Sequence, residues 1–114
     1  MIDDLKTDLI IQSAIILSSK DGVPIFIRKK GDSDAGTILI KIDLLNGYGK
    51  LLRRNLKYSS IKNHSYVEYS KLHEPETISI RKIEEKIAFE IQVDQDLWVV
   101  EIEDKRGKNY FENF

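Results

Sequence analysis

The stretch TILIKIDLLNGYGKLL, residues 37–52, decides the predicted fold because it joins two alternating segments through a tight turn. In its first half, isoleucines alternate with Lys41 and Asp43, a pattern typical of a strand that buries one face. Asn46-Gly47 is the dipeptide most typical of a two-residue type I′ hairpin. We therefore predict a hairpin in which Asp43 opposes Lys50 on the outer face, where opposite charges attract.

Alternating apolar residues predict further strands on both sides of this hairpin. These strands are Pro24–Lys30, Ser65–Leu72, Leu97–Glu103 and a short segment at Lys108–Phe111. Within Leu97–Glu103, the side chains of Trp98, Val100 and Ile102 share one face. The polar segment Asn55–His64 is predicted to be a loop.

Two segments have helical spacing. Residues 4–19 are apolar on most sides, although a strand over Leu9–Leu17 is the alternative for such a β-branched run. A second helix is predicted to begin near Pro75, because proline suits the first turn of a helix, and to bury Ile80, Ile83, Ile87 and Ile91. The order α-ββββ-α-ββ predicts an α+β domain with an antiparallel sheet of about five to six strands.

Composition narrows the class of protein. The 114 residues are predicted to form a single domain, residues 1–114, and 41% hydrophobic with 32% charged residues is typical of a globular chain. No apolar run approaches the ~18–20 residues of a membrane helix, and the start Met1-Ile2-Asp3-Asp4 lacks the basic region of a signal peptide. The absence of cysteine excludes disulfides, thiolate metal sites and a cysteine nucleophile. We therefore expect a cytoplasmic protein.

The loop Gly31–Gly36, with the sequence GDSDAG, contains the first candidate site residues, Asp32 and Asp34. A magnesium ion held by carboxylates and a substrate phosphate would need a third acidic group from elsewhere in the fold, with Glu101, Glu103 and Asp104 as candidates. The loop lacks the glutamate of a calcium-binding EF-hand, and its aspartates would repel a phosphate bound to its backbone. Because Asx turns and glycine explain every residue of the loop, a hairpin corner is the favoured interpretation.

Nucleophilic catalysis finds little support in the sequence. There is no G-x-S-x-G motif, and the two histidines, His64 and His73, have an odd separation that would send them to opposite faces of one strand.

The sequence favours a binding protein over an enzyme, and we expect no cofactor and no metal. The alternative is a metal-dependent, phosphate-directed enzyme that uses Asp32 and Asp34.

Single-stranded nucleic-acid binding is a further alternative. Basic residues and tyrosines interleave along residues 53–71, as in proteins that follow a phosphate backbone and stack bases on aromatic rings. The candidate residues of this basic surface are Arg53, Arg54, Lys57 and Tyr58. The isoelectric point of about 6.1 lacks the basicity expected of such a domain, which makes nucleic acid an unfavoured partner.

The apolar segment at residues 4–19 also predicts a contact. A helix that is hydrophobic around most of its circumference is either deeply buried or paired with a partner helix. In a small domain, a homodimer formed through residues 4–19 is one expectation, and coverage by the sheet within one chain is the other.

Several motifs together resemble a bacterial family of short uncharacterised proteins, classed as a domain of unknown function. They are Leu5-Lys6-Thr7, RKKGDSDAG with ILIKIDLLNG, and DQDLWVVEIEDKRG, whereas residues 52–78 contribute little and Gln95 stands where the family pattern has proline. The resemblance implies no activity, cofactor or catalytic residue. It implies that GDSDAG and DLWVVEIED face each other, which makes a candidate binding site of Asp32, Asp34, Trp98, Glu101, Glu103 and Asp104. The resulting hypothesis is a small accessory domain that acts through protein or small-ligand contacts.

Overall fold

Two helices and six strands follow one another along residues 6–114, the part of the chain that the computed structural model describes. They are α1 (Thr7–Lys20), β1 (Ile25–Lys29), β2 (Ile38–Asp43), β3 (Tyr48–Ser59), β4 (His64–Lys71), β5 (Ile78–Ser79), α2 (Ile80–Val93) and β6 (Trp98–Glu103). The predicted α+β class is confirmed. The order differs from the prediction at two places, because the short β5 precedes α2 and the segment Lys108–Phe111 is not a strand.

The sheet is mixed, which corrects the prediction of an antiparallel sheet. Its strand order is β1-β6-β2-β3-β4, with β5 paired to the start of β3. β6 runs parallel to β2 and antiparallel to β1, whereas the β2–β3 and β3–β4 pairs are antiparallel. A parallel neighbour requires a crossover connection, and α2 provides it by returning the chain from β5 to the start of β6.

The two helices cover opposite faces of this sheet. On one face, Ile10, Ile11 and Ala14 of α1 pack on a cluster that includes Ile40 and Val100. On the other face, Ile83 and Ile87 of α2 pack against Leu39, Leu51 and Val99. The central strand β2 is therefore buried on both sides, and the predicted apolar face of the second helix is confirmed.

The α1 segment is a helix, as predicted, rather than the alternative strand. Its side chains Leu9 and Ile16 are 47% and 61% exposed, whereas its other face is buried on the sheet. The homodimer through residues 4–19 stays a prediction, and residues 4 and 5 of that segment lie outside the described residues. No helix within residues 6–114 combines the length and apolarity needed to cross a membrane.

The hairpin between β2 and β3 corrects the predicted register. Four residues, 44–47, form the turn, and Leu45 and Gly47 adopt positive φ angles of 62° and 89°. Asp43 consequently opposes Gly49, and Lys50 opposes Ile42. The prediction took Asn46-Gly47 as a two-residue turn between strands with one outer face, whereas the connection is longer and both faces of β2 are buried. The register is therefore shifted by one residue from the predicted one.

Two further boundaries differ from the prediction. The second helix begins at Ile80 and not near Pro75, because Ser79 caps it by accepting a hydrogen bond from the Lys82 N–H. The predicted loop Asn55–His64 is mostly strand, since β3 continues to Ser59 and only residues 60–63 form the turn to β4.

A pair of substitutions tests the buried face of α2. Ile83→Ala should lower the free energy of unfolding by about 3 kcal/mol because it leaves a cavity in a fully packed site. Val93→Ala on the same helix, where the side chain is 69% exposed, should change it by less than about 0.5 kcal/mol. Urea denaturation followed by circular dichroism measures both, and equal losses would contradict this packing.

Candidate functional site

The loop Gly31–Gly36 lies against the start of β6, so the two motifs GDSDAG and DLWVVEIED do contact each other. The Asp32 N–H donates to the Asp96 carbonyl at 2.8 Å, and the Trp98 ring N–H donates to the Asp32 carbonyl at 2.8 Å. A Cβ at Gly31 would lie 2.2 Å from the Asp96 carbonyl oxygen, which explains the glycine. The loop is not the predicted hairpin corner, because β6 lies between the strands β1 and β2 that it connects.

The carboxylates of the two motifs do not come together. The Asp32 carboxylate accepts a hydrogen bond from the Asp34 N–H at 2.9 Å, and Asp34 lies 3.4 Å from the Lys6 ammonium. Glu101 and Glu103 lie three and five residues beyond Trp98, about 10 and 17 Å along β6 from the loop contact. The acidic candidates thus occupy different ends of β6.

Trp98 and Asp104 are mainly structural. Trp98 is 4% exposed and belongs to the core beneath α1. Asp104 is 5% exposed at the end of β6, and its carboxylate accepts hydrogen bonds from the backbone N–H groups of Arg106 and Lys108. Although burial by itself raises the pKa of the Asp104 carboxyl, these hydrogen bonds and the Arg106 guanidinium hold that pKa below its usual range. Asp104 therefore organises the turn that follows the strand.

The sequence patterns did not identify a buried lysine on the sheet face beneath α2. Lys41 is 5% exposed and lies directly beside Glu101 in the parallel β2–β6 pair. Its ammonium is 2.6 Å from a Glu84 carboxylate oxygen and 3.3 Å from a Glu101 carboxylate oxygen. A buried ammonium is costly unless charged partners neutralise it, and these two carboxylates supply that neutralisation.

Arg28 completes this group, and we call Arg28, Lys41, Glu84 and Glu101 the charge cluster. The register of β1 shifts between Ile27 and Lys29, and the bulge at this shift sets the direction of Arg28. The Arg28 guanidinium donates bidentate hydrogen bonds to the two carboxylate oxygens of Glu84, at 2.6 and 2.7 Å, and one to a Glu101 carboxylate oxygen at 3.1 Å. Two cations face two carboxylates, so the charge cluster is neutral.

Glu84 is strongly perturbed within the charge cluster. Hydrogen bonding to the Arg28 guanidinium, aided by the Lys41 ammonium and opposed by partial burial, lowers the pKa of Glu84 to about 2. The same contact raises the pKa of Arg28 above its ordinary value. Both groups therefore remain charged across the whole physiological range.

Two further carboxylates, Asp43 and Glu103, lie beside each other at the ends of β2 and β6. Ligand oxygens of Asp43, Glu101 and Glu103 lie within 4.8 Å of one another. However, Glu101 is occupied by Arg28 and Lys41, and Asp43 accepts the Leu45 N–H at 2.8 Å. Neighbouring carboxylates alone do not define a metal site, and the contacts of the charge cluster are those of a structural ion network.

The second feature that sequence patterns missed is a projecting two-stranded segment, Asn55–Glu68, which we call the ribbon. β2 starts opposite Arg54, so beyond that residue β3 pairs with β4 alone. The ribbon places large apolar or aromatic side chains in solvent, at 53% exposure for Leu56, 61% for Tyr58, 95% for Ile61 and 43% for Tyr66. The sequence signal that could have predicted this part of β3 as a strand is the alternation of Leu56 and Tyr58 with Lys57.

The predicted basic candidates do not form one surface. Arg53 pairs with Glu90 of α2, whereas Arg54 is 7% exposed on the opposite face and donates to the Phe114 carbonyl. Lys57 and Tyr58 lie on the ribbon and, as successive strand residues, point to opposite faces. The charge that a nucleic acid would need is thus largely engaged within the fold.

Comparison with known proteins identifies a family but no activity. A family model described as "Protein of unknown function (DUF1491)" matches residues 5–112. No curated protein matches the chain. The chain is similar to a crystal structure of a DUF1491 family protein from Caulobacter crescentus, with 23% identity and a TM-score of 0.74 over 94% of this chain and 92% of that chain.

Two structures solved by NMR are similar in the same way. One is a DUF1491 family protein from Caulobacter crescentus, with 23% identity and a TM-score of 0.73 over 94% of this chain and 92% of that one. The other is the solution structure of a protein from A. tumefaciens, with 22% identity and a TM-score of 0.66 over 88% and 86%. At this level of identity the similarity establishes the fold.

The charge cluster predicts a large cost for removing its lysine. Lys41→Met should lower the free energy of unfolding by about 3 kcal/mol, because it removes one cation and leaves the partly buried Glu101 with Arg28 as its remaining counter-ion. Arg81→Met is the matched control, since Arg81 is 3.6 Å from Glu85 with 90% of its side chain exposed, and should change it by less than about 0.5 kcal/mol. An unfolding midpoint unchanged by Lys41→Met would contradict the ion network.

The charge cluster also predicts a pH dependence. The pKa of Glu84 is about 2 in the folded chain and 4.5 ordinarily, so ionised Glu84 stabilises the fold fully above pH 4.5. That contribution is lost as the pH falls from 4.5 toward 2. A carbon-13 NMR titration of the Glu84 carboxyl should show this low midpoint, and Arg28→Met should raise it. The same midpoint in both proteins would show that Arg28 is not its cause.

Proposed function

The chain belongs to the DUF1491 family of proteins of unknown function, and from that premise we propose that it is a non-enzymatic protein-binding module whose contact surface is the ribbon, Asn55–Glu68. The observation that carries this proposal is the exposure of four large side chains on a segment that neither helix covers, with Ile61 at 95% as the extreme. Leu56 and Tyr58 share one face of the ribbon, Tyr66 lies beside Lys57 on the other face, and Ile61 lies in the turn between the strands. Exposed apolar side chains grouped on one segment are typical of surfaces that bind another protein.

The composition of the ribbon favours a protein over a nucleic acid. Tyrosine is enriched in protein interfaces because its ring offers a large contact area and its hydroxyl a hydrogen bond. Among residues 55–68, the basic residues are Lys57 and Lys62, too few for a backbone-tracking groove. Only Glu68 opposes them, so the fitting partner is an apolar protein surface bordered by carboxylates.

The enzymatic alternative has less support. Asp32 and Asp34 lie in the loop at the start of β6, and the acidic group they would need lies toward its other end. Glu101, one of the acidic candidates on β6, is already paired with two cations of the charge cluster.

We place the binding activity in the cytoplasm, in line with a chain that contains no cysteine.

A site-specific photo-crosslinking experiment tests this function. A benzophenone amino acid replaces Ile61 in the full chain, which is expressed in the cells that naturally make it and then irradiated. We expect one discrete adduct with a different protein, whose identity comes from mass spectrometry and whose contact surface is apolar and acidic. The same amino acid at Lys105, which is exposed in a turn far from the ribbon along the chain, is the matched control and should give no such adduct.

A second pair of changes ties the adduct to the ribbon. Tyr58→Ser together with Tyr66→Ser, in the chain that carries the crosslinker at residue 61, should reduce the adduct yield by about tenfold or more, because tyrosines often anchor interfaces. The proposal is overturned by an adduct with RNA, by identical adducts from residues 61 and 105, or by no adduct at residue 61.

A further inference from the structure

The strand β4, His64–Lys71, is an unprotected edge of the sheet. Within the described residues its only strand neighbour is β3, and eight consecutive residues pair with β3 without a bulge. The opposite edge, β1, has five residues, follows Pro24 and contains a bulge. Short length, proline and bulges are among the devices that stop an edge strand from pairing with another chain, and β4 has none of these three.

The hydrogen-bonding pattern shows which backbone groups of β4 point away from β3. Leu72 donates its N–H to the Leu51 carbonyl at 2.9 Å, directly beyond the pair formed by Leu52 and Lys71. Hydrogen-bonded and non-hydrogen-bonded pairs alternate along an antiparallel ladder. The N–H and C=O groups directed outward from the sheet therefore belong to Ser65, Val67, Tyr69 and Lys71.

We propose that two copies of this chain associate by antiparallel pairing of their β4 edges about a twofold axis at Val67. This inference goes beyond the proposed function, since it concerns a second copy of this chain paired along the backbone edge of β4 and not a different protein. Val67 then opposes Val67 of the second copy, and Ser65 opposes Tyr69 of the second copy. All three carry outward-directed groups, so the pairing forms about six backbone hydrogen bonds.

The charges along β4 select this register. With the axis at Val67, Tyr66 lies opposite Glu68 of the second copy, within reach of a hydrogen bond from hydroxyl to carboxylate, and no like charges oppose each other. An axis one residue later places Glu68 directly opposite Glu68, which is destabilising. An axis one residue earlier, at Tyr66, leaves a shorter overlap of the two strands. The self-complementary register is thus the one centred on Val67.

The same register extends an apolar row across the axis. Leu56 of β3 lies directly beside Val67 and is 53% exposed in the single chain. In the pair, the row runs from Leu56 through Val67 to the same two residues of the second copy. An isologous contact of this kind repeats each favourable pair twice.

The mass of the full chain in solution tests the inference. Light scattering at roughly 1 mM, a concentration suited to a small interface, should give twice the 13.2 kDa of one chain. Val67→Lys and Val67→Glu should each weaken the dimer at least tenfold, since each places like charges opposite each other. An equimolar mixture of the two variants should restore it. Ile27→Lys, the matched change on the edge strand β1, should leave the mass unchanged.

Amide hydrogen exchange of the unsubstituted chain supplies a test that no folding defect can obscure. The Ser65, Val67 and Tyr69 amides should exchange at least tenfold more slowly as the concentration rises into the range of the dimer. A monomeric mass at 1 mM, a dimer that survives Val67→Lys, or unchanged exchange at these amides overturns the inference. The crosslink at Ile61 counts only when the adduct is with a different protein. If the chain is monomeric but still forms that adduct, the dimer is ruled out and the proposed function stands.

Discussion

The burial of β2 on both faces is the constraint on which the rest of the structure depends. A central strand with helices on both sides needs apolar side chains in both directions, and Leu39 packs beneath α2 while Ile38 and Ile40 pack beneath α1. The chain covers the second face with α2 and then returns to the middle of the sheet as β6, between β1 and β2. That crossover is what makes β6 parallel to β2 and separates β1 from β2.

This burial also explains why a charged residue in the middle of the sheet requires a complete set of partners. Lys41 follows Leu39 on the α2 face and is enclosed by β3, β6 and the helix. Because its ammonium lacks free access to water, the fold supplies Glu84 from the helix, Glu101 from the parallel strand and Arg28 from the bulge to neutralise the whole group. Ion networks of this kind define a geometry more than they add stability.

The sequence predicted the features that depend on local periodicity and missed those that depend on which faces are covered. The isoleucines of α2 and the shared face of Trp98, Val100 and Ile102 follow from spacing alone, and both are present. The predicted hairpin register was wrong because Asn46-Gly47 was interpreted as a two-residue turn, whereas residues 44–47 form the connection. The charge cluster was beyond reach, since its four residues come from β1, β2, α2 and β6, and only the parallel pairing brings Lys41 beside Glu101. The first part of the ribbon, Asn55–His64, was predicted to be a loop because its polar residues outweighed a weak alternation, whereas the strand predicted from Ser65 is present.

A single difference in strand length connects the core to the exposed surface. β3 has twelve residues and β2 has six, so the part of β3 after Arg54 extends past the start of β2. The charged groups near this boundary are engaged, as Arg53 with Glu90 and Arg54 with the Phe114 carbonyl. What this boundary leaves exposed is apolar side-chain area and one row of backbone groups. Surfaces of that kind are recognised by shape and strand pairing rather than by charge, and our proposal of protein contacts follows from this.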